Sequence, residues 1–308
     1  MPGRGRQGAE ARARGGPDGP PGPGGRRCRP SGSTGVRGPQ TSGPGGAAGD
    51  PPGSGHPPRG RVTLVGGGPG AVDLLTLRAW RALQNADVVV ADRLGAVGVL
   101  DDLPATTDVV HVGKAPGHHP VPQDEINRIV VARALAGAHV VRLKGGDPFL
   151  FGRGGEEMLA CREAGIEVEV VPGVTSAVSV PGLAGIPVTH RGTAHGVHIA
   201  SGHGGLDAAA IAVARENTAT LVVLMGVSSL STIVQQALRA GTDPATPVAI
   251  VENGSTPAQR VTRTRLDEAA DVATRAGVAA PAVIVIGGVA ADGLLGGARD
   301  GRLAGAGV

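Results

Sequence analysis

From residue 62 onward the chain alternates short Val-rich runs with longer amphipathic segments, and no other feature restricts its fold as much. Runs at 62–65, 87–91, 109–112, 139–143 and 168–171 read as strands, and 74–85, 123–136 and 155–164 between them read as helices. A strand that reaches the next strand through a helix needs a crossover, and crossovers make the paired strands parallel. A second series follows the stretch 187–192, with strands at 197–201, 219–225, 248–252 and 282–286 and a helix at 229–240. The sequence therefore predicts an α/β protein of two domains, 61–191 and 192–292, with a boundary near Arg191 and a flexible end at 293–308. The chain has one Trp, two Phe and no Tyr, so the cores must be built from Val, Leu, Ile and Ala.

The first 60 residues differ in kind. They hold 19 Gly and 12 Pro, so 31 positions interrupt regular structure, and no apolar period runs through them. Such a segment buries too little surface to offset its ordering entropy and is expected to be disordered. Its nine Arg against Glu10, Asp18 and Asp50 give +6; the whole chain is +3, which leaves 3 − 6 = −3 for the remainder. The basic balance thus belongs to the tail, and the folded part is not expected to bind nucleic acid. The tail lacks the apolar core of a signal peptide, and no apolar stretch reaches membrane-spanning length. Cys28 lies in the tail and Cys161 in a helix, which makes no disulfide framework. A soluble protein of the reducing cytoplasm is expected, with activity contained in residues 61 to 308.

The loop richest in chemistry follows the fourth strand, where residues 140–158 read VVRLKGGDPFLFGRGGEEM. Gly145 and Gly146 let backbone approach a ligand closely, and Asp147 with Pro148 forces a turn. Glu156 and Glu157 fall in the first turn of the next helix, where negative charge suits the helix dipole. The segment holds both Phe, at 149 and 151, and Lys144, one of only two Lys. In an open α/β sheet, ligands bind in the crevice beyond the carboxyl ends of the strands, where this loop lies.

Other strand ends repeat the pattern. The first strand runs into GGGPG at 66–70; Gly66, Gly68 and Ala71 fit a dinucleotide fingerprint, and Asp92 ends the next strand where a ribose-binding acid belongs. Pro69 counts against that fit, because it removes an N–H from the turn. Asp92 and Arg93 bring a carboxylate and a guanidinium to the sheet edge, with an ion pair or a helix cap as the plainer alternative. Lys114 closes the third strand, and in a chain of 27 Arg and two Lys a Lys at a strand end suggests a need for Lys. His118 and His119 lack partners at metal-ligand spacing, so no metal is expected. Thr175 and Ser176 open a helix after a Pro-Gly turn, which capping alone could explain. Arg191 ends a basic connection, GIPVTHR, at 185–191. In the second series, 201–203, Met225 with Gly226, and 252–254 end strands and would line a cleft facing the first domain, although Met225 is equally a core filler.

Taken together, GxGPG at 66–70 with LLTL at 74–77, ADRL at 91–94, VGK at 112–114, the block 141–157, VPGVTS at 171–176 and GIPVTHR at 185–191 resemble the tetrapyrrole methylase family. The likeness runs from about 62 to 289 and is strongest to members that C-methylate uroporphyrinogen III, with GGDPFLFGRGGEE the most specific piece. The resemblance implies two α/β domains with S-adenosylmethionine in the cleft between them, and a homodimer. It implies methylation of uroporphyrinogen III at C2 and C7, through precorrin-1 to precorrin-2, for sirohaem or cobalamin. It would bring Pro69, Gly145, Gly146, Asp147, Leu150, Thr175, Ser176, Met225 and Gly254 to the cofactor, with Asp92 and Lys114 as acid/base candidates. Arg93, Arg153 and Arg191 sit on loops where they could receive substrate carboxylates. Ala91 stands where the family often has Tyr, Gly95 and Ala96 where it has Val and Ser, and Ala71 where it often has Asp; the wall beside Asp92 is expected to be wider or more mobile. The alternatives are another corrinoid methyltransferase of the family, or a dinucleotide-dependent oxidoreductase, which would leave the 141–157 block without a task.

Overall fold

The computed structural model describes residues 59–113 and 121–295; the expected tail before Arg59 and the end from 296 lie outside them. The first sheet is built from β1 (Arg61–Gly66), β2 (Val88–Ala91), β3 (Asp108–His111), β4 (His139–Lys144) and β5 (Glu167–Val171), in the order β3-β2-β4-β1-β5 with every pair parallel. Helices α1 (Leu77–Gln84), α2 (Gln123–Leu135) and α3 (Gly154–Glu163) make the crossovers. The helix expected from 74 starts at Leu77, where Thr76 caps it by accepting from Ala79 N at 3.1 Å; a 3-10 turn, Val72–Leu74, precedes it.

Alternate strand residues enter different cores, as the period of two requires. Val62, Leu64, Val88, Val90 and Val140 pack with Ile126, Val130, Ala134 and Cys161 of α2 and α3. Val89, Ala91, Val141 and Leu143 pack on the other face with Ala79 and Leu83 of α1. Winding runs from β1 to β2 and β3 on one side, then back through β4 to β5 on the other. The reversal leaves a crevice beyond the carboxyl ends of β1 and β4, the place where such sheets bind ligands.

The second sheet is mixed. Its order is β6-β7-β10-β8-β9, from β6 (Val197–Ser201), β7 (Thr220–Leu224), β8 (Pro247–Glu252), β9 (Arg260–Arg265) and β10 (Ala282–Ile286). β6 and β7 are parallel, while β10 runs against both β7 and β8, and β9 against β8. Helices α5 (Ala208–Glu216), α6 (Leu230–Arg239) and α7 (Ala269–Arg275) cover one face with Ala210, Ile233, Ala237 and Ala269. The other face is covered by α4 (Ser176–Leu183), whose Ala177 and Val180 pack on Val222, Ala249, Val251, Val283 and Val285. The segment directly after β5 therefore serves the second sheet, and its Thr175–Ser176 start stays beside the first. No helix among the described residues is long and apolar enough to cross a membrane.

The loops after β1, β4 and β5 touch through bare backbone. A Cβ on Gly173 would lie 2.2 Å from the Gly146 carbonyl oxygen and 2.6 Å from Gly66 Cα, so no side chain fits there. Gly173→Ala is expected to push these loops apart and cost about 1–3 kcal/mol or more, the usual scale of overpacking. Chemical denaturation reads it; an unchanged midpoint would show that the loops yield freely.

Candidate active site

Three glycine turns are tied into one surface at the carboxyl edge of the first sheet. Gly67 N donates to Lys144 O at 2.6 Å, and Gly68 and Gly146 exchange backbone bonds, Gly146 N to Gly68 O at 2.8 Å and Gly68 N to Gly146 O at 3.2 Å. Asp147 latches the turn after β4 to the one after β5: its carboxylate accepts from Phe149 N at 2.9 Å and from Gly173 N at 3.1 Å. Across from them, Ser255 in the loop after β8 accepts from Ala71 N at 3.1 Å and sits beside Gly70. That loop is anchored by Glu252, buried, which accepts from Arg260 at 2.7 and 2.8 Å and from Ala279 N at 2.9 Å.

The dinucleotide reading of 66–71 fails on this geometry. The N–H groups of Gly67 and Gly68 that a pyrophosphate would need are spent on the carbonyls of Lys144, the last residue of β4, and of Gly146 in the turn after it, and the helix begins only at Leu77. The glycine turn therefore presents no helix N-terminus to an anion.

Three of the glycines differ in what they leave open. A Cβ on Gly145 would press on Leu94 at 3.0 Å, and one on Gly254 would strike Val180 of α4 at 2.4 Å, so both serve close packing. Gly146 has φ +64, and a Cβ there would meet only Ser176 N at 3.9 Å. Its position opens onto free space in the middle of the loop cluster. Thr175 caps α4 by accepting from Ala177 N at 3.3 Å, and Leu150 is half-buried against the α4 core. Met225 is 39% exposed at the end of β7, so it is not core filler.

Backbone strain gathers in the same place. Phe151, Arg153, Met225, Asn253 and Ser255 have φ between +47 and +64, all in loops after β4, β7 and β8; among the described residues the only other non-glycine of this kind is Asn217, at the end of α5. Such conformations cost free energy and persist where surrounding structure imposes them, commonly at ligand sites.

Under this surface lies a charged cluster that the sequence reading passed over. Arg142 and Lys144 alternate on β4 and point to the α2–α3 side, where apolar packing surrounds them. Arg142 Nε donates to Glu157 Oε1 at 3.0 Å and its Nη2 to Asp92 Oδ1 at 2.6 Å; Lys144 Nζ lies 2.9 Å from Glu157 Oε1 and 3.9 Å from Asp92 Oδ2. Gln123, the first residue of α2, adds a third donor to Glu157 Oε1 at 3.1 Å. The side chains of Arg142, Lys144 and Glu157 are 1%, 3% and 0% exposed, whereas that of Asp92 keeps 30%. Glu157 thus faces inward to two cations. Its neighbour Glu156 is exposed and pairs with Arg153 at 2.7 and 2.8 Å, so that the Arg153 bond holds its carboxyl below the usual range. The available signal was parity: two cations two residues apart on a buried strand demand counter-charge from the helices above it.

Burial, then the charge of Arg142, lower the pKa of the Lys144 ammonium, while Glu157 and Asp92 act to raise it. Cys161, one turn along α3, is a free buried thiol pushed up to about 11, first by burial and then by the Glu157 charge. A thiol of that pKa is about one part in a thousand thiolate at pH 8, and the thiolate is the reactive form. Cys161 is expected to resist alkylation in native protein and react promptly in denaturant; rapid native labelling would contradict its burial.

Of the residues singled out in sequence, hydrogen bonds and close approaches join Gly70 beside Pro69, Gly145 to Asp147, Thr175 with Ser176, and Gly254 with Ser255 into one place, with Asp92 at its rim. Arg93 is exposed next to Asp92, and the backbone of Gly113 packs on it. Arg153 is exposed and engaged with Glu156, and Arg191 is exposed on the turn closed by the His190–Ala194 bridge. Lys114, His118 and His119 lie outside the described residues.

Comparison with known proteins bears on the whole of this surface. Residues 61–270 match the family of Tetrapyrrole (Corrin/Porphyrin) Methylases. The siroheme synthase of Edwardsiella ictaluri is 47% identical over 235 residues, 75% of this chain but only 50% of the relative, so the chain spans about half the length of that protein. The S-adenosyl-L-methionine-dependent uroporphyrinogen III methyltransferase of Methanosarcina barkeri is 45% identical over 237 residues, 75% of this chain and 92% of the relative. Among solved structures, the uroporphyrin-III C-methyl transferase from Thermus thermophilus complexed with S-adenyl homocysteine superposes with a TM-score of 0.64 at 45% identity, covering 75% of this chain and 98% of that one. Agreement of this extent, running from β1 into α7 and through every loop of the site, establishes that the chain belongs to the tetrapyrrole (corrin/porphyrin) methylases.

Proposed function

We propose that this chain methylates uroporphyrinogen III at C2 and C7, giving precorrin-2 by way of precorrin-1, with S-adenosylmethionine as donor. We propose further that it works as a cytoplasmic homodimer of two-domain subunits, in which the expected division near 191 moves back to the start of α4, because α4 packs on the second sheet. The observation that carries the reading is the open position at Gly146, among the tied turns after β1, β4 and β5, in a chain of this family. The names of the relatives that match along most of their length point to the same substrate and donor.

The residues fit the donor. Gly146 leaves its side-chain position open beside Ser176, and the Asp147 carboxylate latches the turn there; in this reading Thr175, Met225 and the Gly254 loop close the same space around the nucleoside. S-adenosylmethionine, when bound, supplies an already activated methyl group. What remains for the protein is to align the acceptor carbon and to manage one proton, and alignment is the larger contribution.

A pyrrole carbon that gains a methyl must shed a proton to restore the macrocycle. Asp92 sits at the rim, accepts from Arg142 at 2.6 Å, and keeps 30% of its side chain exposed, so it is a carboxylate aimed at the cleft and suited to take that proton. Lys114 remains a second acid/base candidate. Arg93, Arg153 and Arg191 are exposed and supply cations for the carboxylate-rich substrate, Arg153 exchanging its bond to Glu156 for one to substrate.

Equilibrium binding separates this reading from its rivals. S-adenosylhomocysteine is expected to bind with stoichiometry of one per chain, and NADH not at all. Binding of NADH with no response to S-adenosylhomocysteine would overturn the assignment.

A further inference from the structure

We infer that Lys144 and Arg142, braced from behind by Glu157, are positioning residues for Asp92, and that methyl transfer depends on the charge balance of this buried quartet. The inference rests on Asp92 being the group that takes the proton.

The cluster has features that packing alone does not require. Arg142 and Lys144 occupy interior positions of a buried strand, where Val or Leu would fill the space without desolvating a charge. Both are directed at one carboxylate from the front and one from behind. Glu157 Oε1 collects Arg142, Lys144 and Gln123, whereas its Oε2 is buried with no partner among the described residues. That cost is borne at the one spot where the two cations must be held still. Arg142 is locked further by its Nη1, which donates to Val90 O at 3.2 Å and Leu143 O at 3.0 Å. A guanidinium so fixed can offer Asp92 only one direction, and the carboxylate is aimed accordingly.

The four charges sum to zero when all are ionised, and only Asp92 reaches solvent appreciably. When Asp92 takes up a proton, the quartet is left with a net positive charge, which the interior disfavours; the proton is therefore released to solvent, which Asp92 alone of the four reaches appreciably. The other titratable groups around it are Arg93 beside it, His111 at the end of the neighbouring β3, and Cys161 on α3 behind Glu157.

The test is the pH dependence of single-turnover methylation in the full chain, with cofactor saturating, for Lys144→Met, Lys144→Arg and Glu157→Gln. Removing the cation 3.9 Å from Asp92 should move the acid limb of Lys144→Met upward by about one pH unit, a roughly tenfold loss of rate on that limb. Lys144→Arg should restore the wild-type limb. Removing the negative charge behind the cations should move the limb of Glu157→Gln downward. Opposite shifts from two neighbouring buried substitutions are not what a general loosening of structure produces. Should Glu157→Gln fail to fold, the Met and Arg pair at 144 decides alone. If Asp92→Asn abolishes turnover yet all limbs coincide with wild type, the inference is overturned and the proton-acceptor reading survives. If Asp92→Asn turns over normally, that reading falls first, and the inference with it.

Discussion

Asp92→Asn is expected to lower single-turnover methylation by about 10² to 10⁴ fold, the usual contribution of a positioned acid/base group, while leaving affinity for S-adenosylhomocysteine within a few fold of wild type. Asn keeps the shape and can still accept the Arg142 bond through its oxygen, but it cannot take up a proton. Its amide nitrogen would face Lys144, donor against donor, where the carboxylate now lies 3.9 Å from Nζ. Thermal unfolding measured alongside accounts for that mismatch. Were Asp92 a ribose ligand, the pattern would invert: affinity would fall by the worth of a charge-assisted hydrogen bond, about 1.5–3 kcal/mol, and chemistry in the saturated enzyme would persist. A variant with neither defect would leave Asp92 as the structural partner of the buried Arg142.

Gly146→Val is expected to abolish cofactor binding, more than a hundredfold in affinity, in protein that remains folded. Two effects combine. The residue has φ +64, where a branched side chain is strained by roughly 1–3 kcal/mol, and its side chain would project into the space assigned to the nucleoside. Gly146→Ala separates them, since it carries the backbone cost with little of the bulk and should bind better than the Val variant. Calorimetric titration with S-adenosylhomocysteine reads both. Near-normal affinity in Gly146→Val would mean that the open position does not face the cofactor.

Much of the fold was legible because its signals were local. The Val runs at β1, β2 and β4 and the glycines after them announce strands that end in ligand loops, and the first sheet is parallel as the alternation required. The elements that escaped lack such signals or contradict them. β9 reads RVTRTR, polar because it is an edge strand, so no apolar run marks it. Of α4 only the start at Thr175 and Ser176 was legible: Pro181 and Gly182 inside it argue against a helix, and it is held by packing on the second sheet. α5 is different: Asp207 caps it by accepting from Ala210 N at 2.8 Å and an Ala-rich run follows, a signal the reading left unused.

The candidate site divides in the same way. That glycines would crowd the carboxyl edge is a matter of composition, but which of them leaves space depends on what stands opposite. Val180 fills the place beside Gly254 and Leu94 the place beside Gly145, and only three dimensions reveal that Gly146 alone of the three is open. Glu157 was read as a helix-dipole charge, which is true of its neighbour Glu156 in its exposed setting. The burial of Glu157 follows from the helix turning its next residue toward β4, where two cations wait.

Incubating the chain with uroporphyrinogen III and S-adenosylmethionine carrying a labelled methyl group tests the central claim most directly. The account predicts two labelled methyl groups per macrocycle, bonded to ring carbons C2 and C7, formed at catalytic turnover with release of S-adenosylhomocysteine. Bound cofactor with no label transferred to uroporphyrinogen III, alongside transfer to a later corrinoid, would contradict it.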